Sequence, residues 1–106
     1  MHRADILKTA RALTTGDRNA SYGHPYENLD LMAEMFSAFL SAKYADICLT
    51  AEDMAHLMTI AKMARTIAPG FHLDNYIDGA CYQAIAGECR RIQTSDDLGY
   101  PQEKQE

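Results

Sequence analysis

Two aspartates near the start of the stretch 72–88 are the first residues with a chemical implication. At about 100° per residue, Asp74 and Asp78 lie on one stripe of a predicted helix, together with three later residues, Cys81, Ile85 and Glu88. They therefore face the core side of the helix, whereas a solvated face would place acids opposite the apolar residues. Carboxylates that point inward must be capped, paired or bound to a ligand. The stretch predicts a binding site or an ion pair, and an N-cap role for Asp74 also stays open.

A second set of acids lies on an earlier predicted helix. Glu27, Asp30 and Glu34 form a stripe nearly opposite the core residues of that helix. One interpretation is a solvated face, and the other is a pocket, because apolar residues flank the acids on both sides. Helices that present acids to each other can bind Mg²⁺, which bridges polyphosphate oxygens and activates a water. The predicted metal ligands are therefore Glu27, Asp30, Glu34, Asp74 and Asp78.

Other polar residues could contact a substrate beside such a metal. Lys62 and Arg65 lie close together around a third helix. They are surface cations, ion-pair partners of acids such as Asp78, or phosphate contacts. The irregular segment 15–25 is a plain connector or a binding loop. As a binding loop it would place Tyr22 and His24 near a base or sugar, and Asn75 is taken as a further substrate contact. His56 is interpreted as a structural histidine, and Glu52 as a first-turn acid.

Several common catalytic motifs are absent from the sequence. No GxxxxGK[ST], GxGxxG, HExxH or GxSxG pattern occurs. No Ser, Thr or Cys has a convincing partner for nucleophilic catalysis. The carboxylates on two helices are thus the remaining candidates for chemistry, with Glu27 and Asp78 as the proposed catalytic pair.

Composition indicates one all-α domain. Valine is absent from the 106 residues, and Ala, Leu and Met dominate the apolar 47%. The net charge is −5, without a basic stripe, which argues against binding of DNA or RNA. The three cysteines have no CxxC spacing, so we expect reduced thiols. We find no signal peptide and no membrane-length apolar run and expect a cytoplasmic protein without membrane contact.

Periodicity predicts a bundle of four main helices within residues 1–94, followed by a polar, disordered tail over 95–106. The predicted helices span residues 3–14, 25–44, 51–67 and 74–92. Pro25 fits a helix start, and Thr50 with Asp53 resembles a capping box. The second and third helices carry apolar residues on two sides, so we expect a homodimer or a higher homo-oligomer.

Three blocks of the chain resemble a family of small phage and prophage proteins catalogued as a domain of unknown function. The blocks are YGHPYENL at 22–29, LTAEDMAHLMTIAKMAR at 49–65 and HLDNYIDGACYQAIAGE at 72–88. The resemblance covers roughly residues 18 to 90.

The acidic helices more distantly resemble the all-α nucleoside triphosphate pyrophosphohydrolases, the MazG-like and dimeric dUTPase group. In that group an ExxE and a later ExxD hold Mg²⁺, and the enzymes cleave a nucleotide between its α- and β-phosphates. The sequence 27–30, ENLD, is similar to the first motif. The sequence 74–78, DNYID, departs from the second in its spacing and its first residue, and a whole helix separates the two.

This resemblance implies a MazG-like oligomeric bundle and a Mg²⁺-dependent nucleotide pyrophosphohydrolase. In that hypothesis the five carboxylates bind the metal or activate water, and Lys62 and Arg65 contact phosphate. The alternative is a non-catalytic phage-encoded protein that sequesters a nucleotide or a host protein. A third possibility is a structural protein whose acids are caps and solvated faces.

Overall fold

The computed structural model describes residues 2–16 and 24–94. Within these ranges the chain forms helices and no strand, which confirms the predicted all-α class. The helices are α1 Arg3–Thr15, α2 Pro25–Lys43, α3 Ala51–Arg65 and α4 Leu73–Thr94. Tyr22 and the tail 95–106 lie outside the described residues, so their predicted roles stay predictions.

The starts of α2 and α3 follow from local sequence. Pro25 occupies the first turn of α2, and the Nδ1 atom of His24 accepts a hydrogen bond from the Tyr26 amide at 3.0 Å. At α3, Thr50 Oγ1 accepts from the Asp53 amide at 3.1 Å, and Asp53 Oδ2 accepts from the Thr50 amide at 2.9 Å. The predicted capping box is therefore confirmed, with an aspartate in the usual glutamate position.

The helix boundaries near the 66–72 connection differ from the predicted ones. Helix α3 ends at Arg65 rather than at Ile67, because the next amides turn back toward carbonyls three residues earlier. Gly70 then adopts φ +91°, which a side chain would oppose. Helix α4 begins at Leu73, so Asp74 is an exposed first-turn acid favoured by the helix dipole, rather than the N-cap.

Helix α4 is the centre of the packing. Helix α3 lies against it most extensively, α2 packs mainly on α3, and α1 packs on α4. One buried cluster joins α2, α3 and α4 through Leu29, Ala33, Ala51, Met54, Ala55, Ala86 and Cys89. A second joins α1 to α4 through Ala10, Ile77 and Cys81. Most of these residues are small, so the helix backbones approach closely.

The connection between α2 and α3 is held by two serines of α2. Ser41 Oγ accepts a hydrogen bond from the Ile47 amide at 2.9 Å and donates to the Ile47 carbonyl at 3.1 Å. Ser37 Oγ accepts from the Leu49 amide at 2.8 Å. These bonds satisfy backbone groups of an irregular segment and fix where α3 begins.

Many large apolar side chains stay exposed outside the two clusters. They include Leu31, Met35 and Phe39 on α2, Ile60 and Met63 on α3, and Phe71 before α4. None of the helices in the described ranges is long and apolar enough to cross a membrane. Exposed apolar patches of this kind mark contact surfaces for ligands or other proteins.

Candidate functional site: the groove between α3 and α4

The carboxylates predicted to share a metal are spread over the surface. Glu27 and Glu34 of α2 and Asp74 of α4 are exposed, whereas Asp30 and Asp78 are partly buried. Residues 2–16 and 24–94 contain no group of three His, Cys, Asp or Glu side chains that could hold a metal ion. A Mg²⁺ site needs several oxygen ligands at about 2.1 Å. The described part of one chain does not bring such a set together, and the predicted metal site stays a prediction.

Asp78 instead lies beside a cation. Its Oδ2 atom is 3.2 Å from Nζ of Lys62, and the two groups join the second turn of α4 to the last turn of α3. The side chain of Lys62 is mostly covered, and that of Asp78 is about one-third exposed. Partly exposed ion pairs contribute about 0–1 kcal/mol to stability. Arg65, the other predicted phosphate contact, is exposed.

A groove lies directly beside this ion pair. It encloses about 760 Å³ between the second half of α3 and the first half of α4, and its walls are mostly apolar. The apolar part of the wall is formed by Ile60, Met63, Ile67 and Ala80. The polar groups come from Thr59, Lys62, Asn75, Tyr76 and Gln83. A pocket that is largely apolar with a few polar groups is the usual form of a small-molecule site.

Gly79 lies beside the stem of Lys62 at the groove. A Cβ atom at this position would lie 3.8 Å from the Cβ of Lys62, an ordinary contact distance. The backbone of α4 therefore passes close to α3 at Lys62 and holds the stem of that lysine along the wall.

Asn75 is the most unusual polar residue of the groove. It is 5% exposed, and its Oδ1 atom has no hydrogen-bond partner in the described part of the chain. A buried polar atom without a partner costs about 1–3 kcal/mol, so such groups often have a functional reason. An amide donor that reached this oxygen would remove that penalty.

Two stacked aromatic rings lie at the start of α4, and one of them belongs to the groove. The rings of Phe71 and Tyr76 stack with centroids 5.5 Å apart and an interplanar angle of 29°. Phe71 is largely exposed, whereas Tyr76 is about half exposed and also lines the groove. Exposed stacked aromatics present a flat surface to another planar group.

A hydrogen-bond chain runs from the groove to the far end of α4. Gln83 Nε2 lies 3.1 Å from Thr59 Oγ1 and 3.0 Å from His56 Nδ1. His56 Nε2 lies 2.9 Å from a carboxylate oxygen of Glu52. Arg90 Nε donates to the other Glu52 oxygen at 2.5 Å. The Arg90 hydrogen bond, followed by that of His56, holds the pKa of Glu52 below its ordinary value.

Sequence reasoning missed the members of this chain that lie on α4. The spacing of Glu52 and His56 by four residues was a usable signal, because such residues are neighbours on a helix. Gln83 and Arg90 gave no signal of their own, since their partners depend on how α3 and α4 align. The structural interpretation of His56 agrees with its position as a link in this chain.

His24 lies away from the groove, at the start of α2. Besides capping that helix, its Nε2 atom is 3.4 Å from a carboxylate oxygen of Glu88 in the second half of α4. Of the predicted substrate contacts within the described residues, the structure thus brings Lys62 and Asn75 into one groove. His24 and the exposed Arg65 do not line that groove.

Comparison with known proteins gives a family. The model of DUF6378, a domain of unknown function, matches residues 5–90. A Gene 55 protein of Mycobacterium phage D29 is 39% identical over 98 residues, which cover 92% of this chain and 60% of that protein. The Gene 55 protein of Mycobacterium phage L5 is 33% identical over 96 residues, covering 91% of this chain and 57% of that protein.

The chain therefore spans about 60% of the length of these curated relatives. No solved structure matches significantly. The predicted resemblance to a phage protein family is confirmed, and the more distant resemblance to MazG-like pyrophosphohydrolases stays a prediction.

Proposed function

We propose that this chain, which belongs to the DUF6378 family, is a binding protein for a nucleotide and that its site is the groove between α3 and α4. In this proposal the protein binds its ligand without hydrolysing it. The observation that carries the proposal is the unpartnered Oδ1 atom of Asn75, buried among the residues that line the groove.

The Asn75 carboxamide supports recognition of a hydrogen-bond donor. Its oxygen accepts, and its nitrogen donates, so one amide can pair with the edge of a nucleobase that presents a donor beside an acceptor. An analogue without that donor would leave the oxygen unpaired and so bind more weakly. Asn75 therefore favours a base with an amino or imino group over a plain hydrocarbon ring.

Tyr76 and Phe71 support a planar ligand. Stacking of a base on an aromatic side chain contributes about 1–3 kcal/mol. Tyr76 lies next to Asn75 in sequence and lines the same groove. A base whose edge pairs with Asn75 could therefore place its face toward the Tyr76 ring.

Lys62 supports an anionic ligand. Its ammonium group carries three donors, and one direction is occupied by Asp78 at 3.2 Å. A phosphate would compete with Asp78 for this charge, as a lysine binds phosphate through its point charge. The low-polarity wall around Lys62 strengthens such an interaction, because screening by water is reduced there.

Metal-dependent hydrolysis would need a carboxylate cluster that the described part of one chain does not form. The metal-dependent mechanism requires the acids of α2 to meet those of α4, and the α2 acids Glu27 and Glu34 face solvent. Asp78 is engaged by a cation rather than by other carboxylates.

The test is calorimetric titration with a panel of ribo- and deoxyribonucleoside triphosphates, with and without Mg²⁺, while pyrophosphate release is followed in parallel. We expect binding without turnover, and a loss of affinity of about tenfold or more in Asn75→Leu, since 1.4 kcal/mol corresponds to a factor of ten. The control is Lys8→Met on the exposed face of α1, which should bind like the unmodified protein.

Two results would reject the proposal. If no nucleotide binds, the groove has another ligand or none. If pyrophosphate is released in Mg²⁺ and this release disappears in Asp78→Asn, the protein is a hydrolase and the earlier enzyme hypothesis is correct.

A further inference from the structure

The outward side of α2 carries an apolar stripe that packs on nothing in the described part of the chain. Leu31, Met35 and Phe39 are 56%, 65% and 64% exposed, and Ala38 and Ala42 are exposed beside them. These residues lie roughly opposite the buried Leu29 and Ala33 on the helix. Ser37, Ser41 and the acids share one of the two remaining sides of α2, and Met32 and Phe36 lie on the other.

The stripe has the spacing of a coiled-coil seam. Asn28, Leu31, Met35, Ala38 and Ala42 follow one another at intervals of three and four residues, which is the a and d pattern of heptads. This seam extends over most of a helix that is about 28 Å long. A monomer gains nothing from such a stripe, whereas a second helix would bury it.

The order of large and small residues along the seam identifies the partner helix. The first half of the seam carries Leu31 and Met35, and the second half carries Ala38 and Ala42. An antiparallel copy of the same helix places Leu31 opposite the partner's Ala42. It places Met35 opposite the partner's Ala38. Each large side chain then meets a small one, which fills space without voids.

The flanks of the seam agree with the same register. On one side Phe39 lies opposite the partner's Met32, an apolar pair. On the other, Glu34 lies opposite the partner's Ser41, so like charges do not meet. In a parallel copy, Ala38 would instead lie opposite the partner's Ala38, and Ala42 opposite the partner's Ala42. Each such pair would leave a gap that two methyl groups cannot fill.

We propose that the outward stripe of α2 is the interface of a homodimer in which two α2 helices pack antiparallel. A single pair of helices of this length buries less than the roughly 1,200–2,000 Å² of a stable standard interface. We therefore expect a weak dimer whose population depends on protein concentration.

Sedimentation equilibrium across the micromolar range tests the interface. Unmodified protein should convert from monomer to dimer as its concentration rises. Met35→Glu should stay a monomer at every concentration with unchanged helical circular dichroism, since Met35 is exposed in the isolated chain. The matched control is Met63→Glu, because Met63 is 62% exposed but lies on α3. It should dimerise like the unmodified protein.

Disulfide cross-linking tests the register even if a charged variant fails to fold. In a Cys48→Ser background, which removes the exposed cysteine, Leu31→Cys and Ala42→Cys proteins are mixed and oxidised. We expect a cross-link between the two variants and little within either. Self-linking of Leu31→Cys would indicate a parallel pair and overturn the register. A protein that is monomeric throughout, or that loses its dimer in Met63→Glu instead, would overturn the interface.

Discussion

The carboxylate of Glu52 is the most heavily engaged acid in the described residues. It accepts hydrogen bonds from Arg90 and His56, and these partners lower its pKa. A carboxylate with a lowered pKa stabilises the fold fully at a pH above its ordinary value of 4.5. That stabilisation is lost as the pH falls through the lowered value in the folded state.

We predict that Glu52→Gln lowers the free energy of unfolding at pH 7, because Arg90 and His56 lose a charged acceptor. The difference from the unmodified protein should shrink as the pH falls below about 4.5, where the unfolded chain binds its proton. Urea denaturation at several pH values measures this. Glu27→Gln, an exposed acid at the start of α2, is the control. A difference that stays constant with pH would contradict the role of the charge.

Cys89 shows the opposite effect of burial on an ionisable group. It is fully buried in the cluster that joins α2, α3 and α4. Burial, assisted by the nearby carboxylates of Glu88, Glu52 and Asp30, raises its pKa to about 11. The thiolate is the reactive form of cysteine, so this thiol should be inert in the folded protein.

We predict that one thiol of the native protein, that of exposed Cys48, reacts rapidly with a thiol reagent at pH 8. Buried Cys81 and Cys89 should react after urea is added. Absorbance of the released chromophore measures the number of fast sites. The Cys48→Ser variant should lack the fast phase, and rapid reaction of a second thiol in native protein would show that the core opens readily.

At the scale of elements, the start of α3 depends on the pair Thr50 and Asp53. Their two reciprocal hydrogen bonds satisfy amides that the first turn of a helix leaves unpaired. Helix α3 supplies Met54 and Ala55 to the core and Lys62 to the groove. The cap therefore supports both stability and the proposed site.

We expect Thr50→Ala to lower the free energy of unfolding by about 1 kcal/mol, within the 0.5–2 kcal/mol found for such caps. Thr15→Ala at the last residue of α1 serves as the control and should have a smaller effect, since that hydroxyl only bonds to a carbonyl one turn earlier. Urea denaturation curves give both values. Equal losses of unfolding free energy at the two positions would mean that the capping box adds no more stability than an ordinary helix hydroxyl.

Sequence patterns predicted the elements well because their signals are local. Proline at position 25, the Thr50 capping box and the break at Pro69 and Gly70 each act within a few residues. The last turn of α3 was overestimated, since apolar periodicity continues to Ile67 while the hydrogen bonds already tighten. For Asp78 the sequence left two kinds of partner open, the acids of α2 or the cations of α3. The structure places Lys62 beside it, and this choice depends on the alignment of two packed helices.

Two of the residues that line the groove had been singled out from the sequence. Lys62 and Asn75 were both predicted as substrate contacts, but Glu27, Asp30 and Glu34 were expected to join them. Helical periodicity gives the direction of a side chain on its own helix and not the rotation of one helix relative to another. The acids of α2 and α4 thus shared a chemical type without sharing a site.

At the scale of the whole molecule, a small core supports a large apolar surface. Met54 and Cys89 are the largest fully buried side chains in the described ranges, and many of the other core residues are alanines. Such a core leaves the outward side of α2 and the groove as separate surfaces on different helices. We infer that one binds a second copy and that the other binds the ligand.

We predict that Met54→Ala destabilises the fold by about 2–5 kcal/mol, because it leaves a cavity between α2, α3 and α4. Met63→Ala, a change of the same chemistry at an exposed position of α3, should change stability by no more than about 0.5 kcal/mol. Thermal unfolding followed by circular dichroism compares the two. Similar losses would mean that Met63 is buried in solution.

The central claim, that the groove binds an anionic nucleotide through Lys62, is tested most directly by the two partners of one ion pair. Calorimetric titration with the nucleotide that binds most tightly gives the affinities of Lys62→Met and Asp78→Asn, and each is compared with that of the unmodified protein. We predict changes of opposite sign: Lys62→Met loses about tenfold or more in affinity, and Asp78→Asn gains affinity because the freed ammonium group no longer has a competing carboxylate. Equal losses in both variants would mean that the pair only maintains the groove and would contradict the claim.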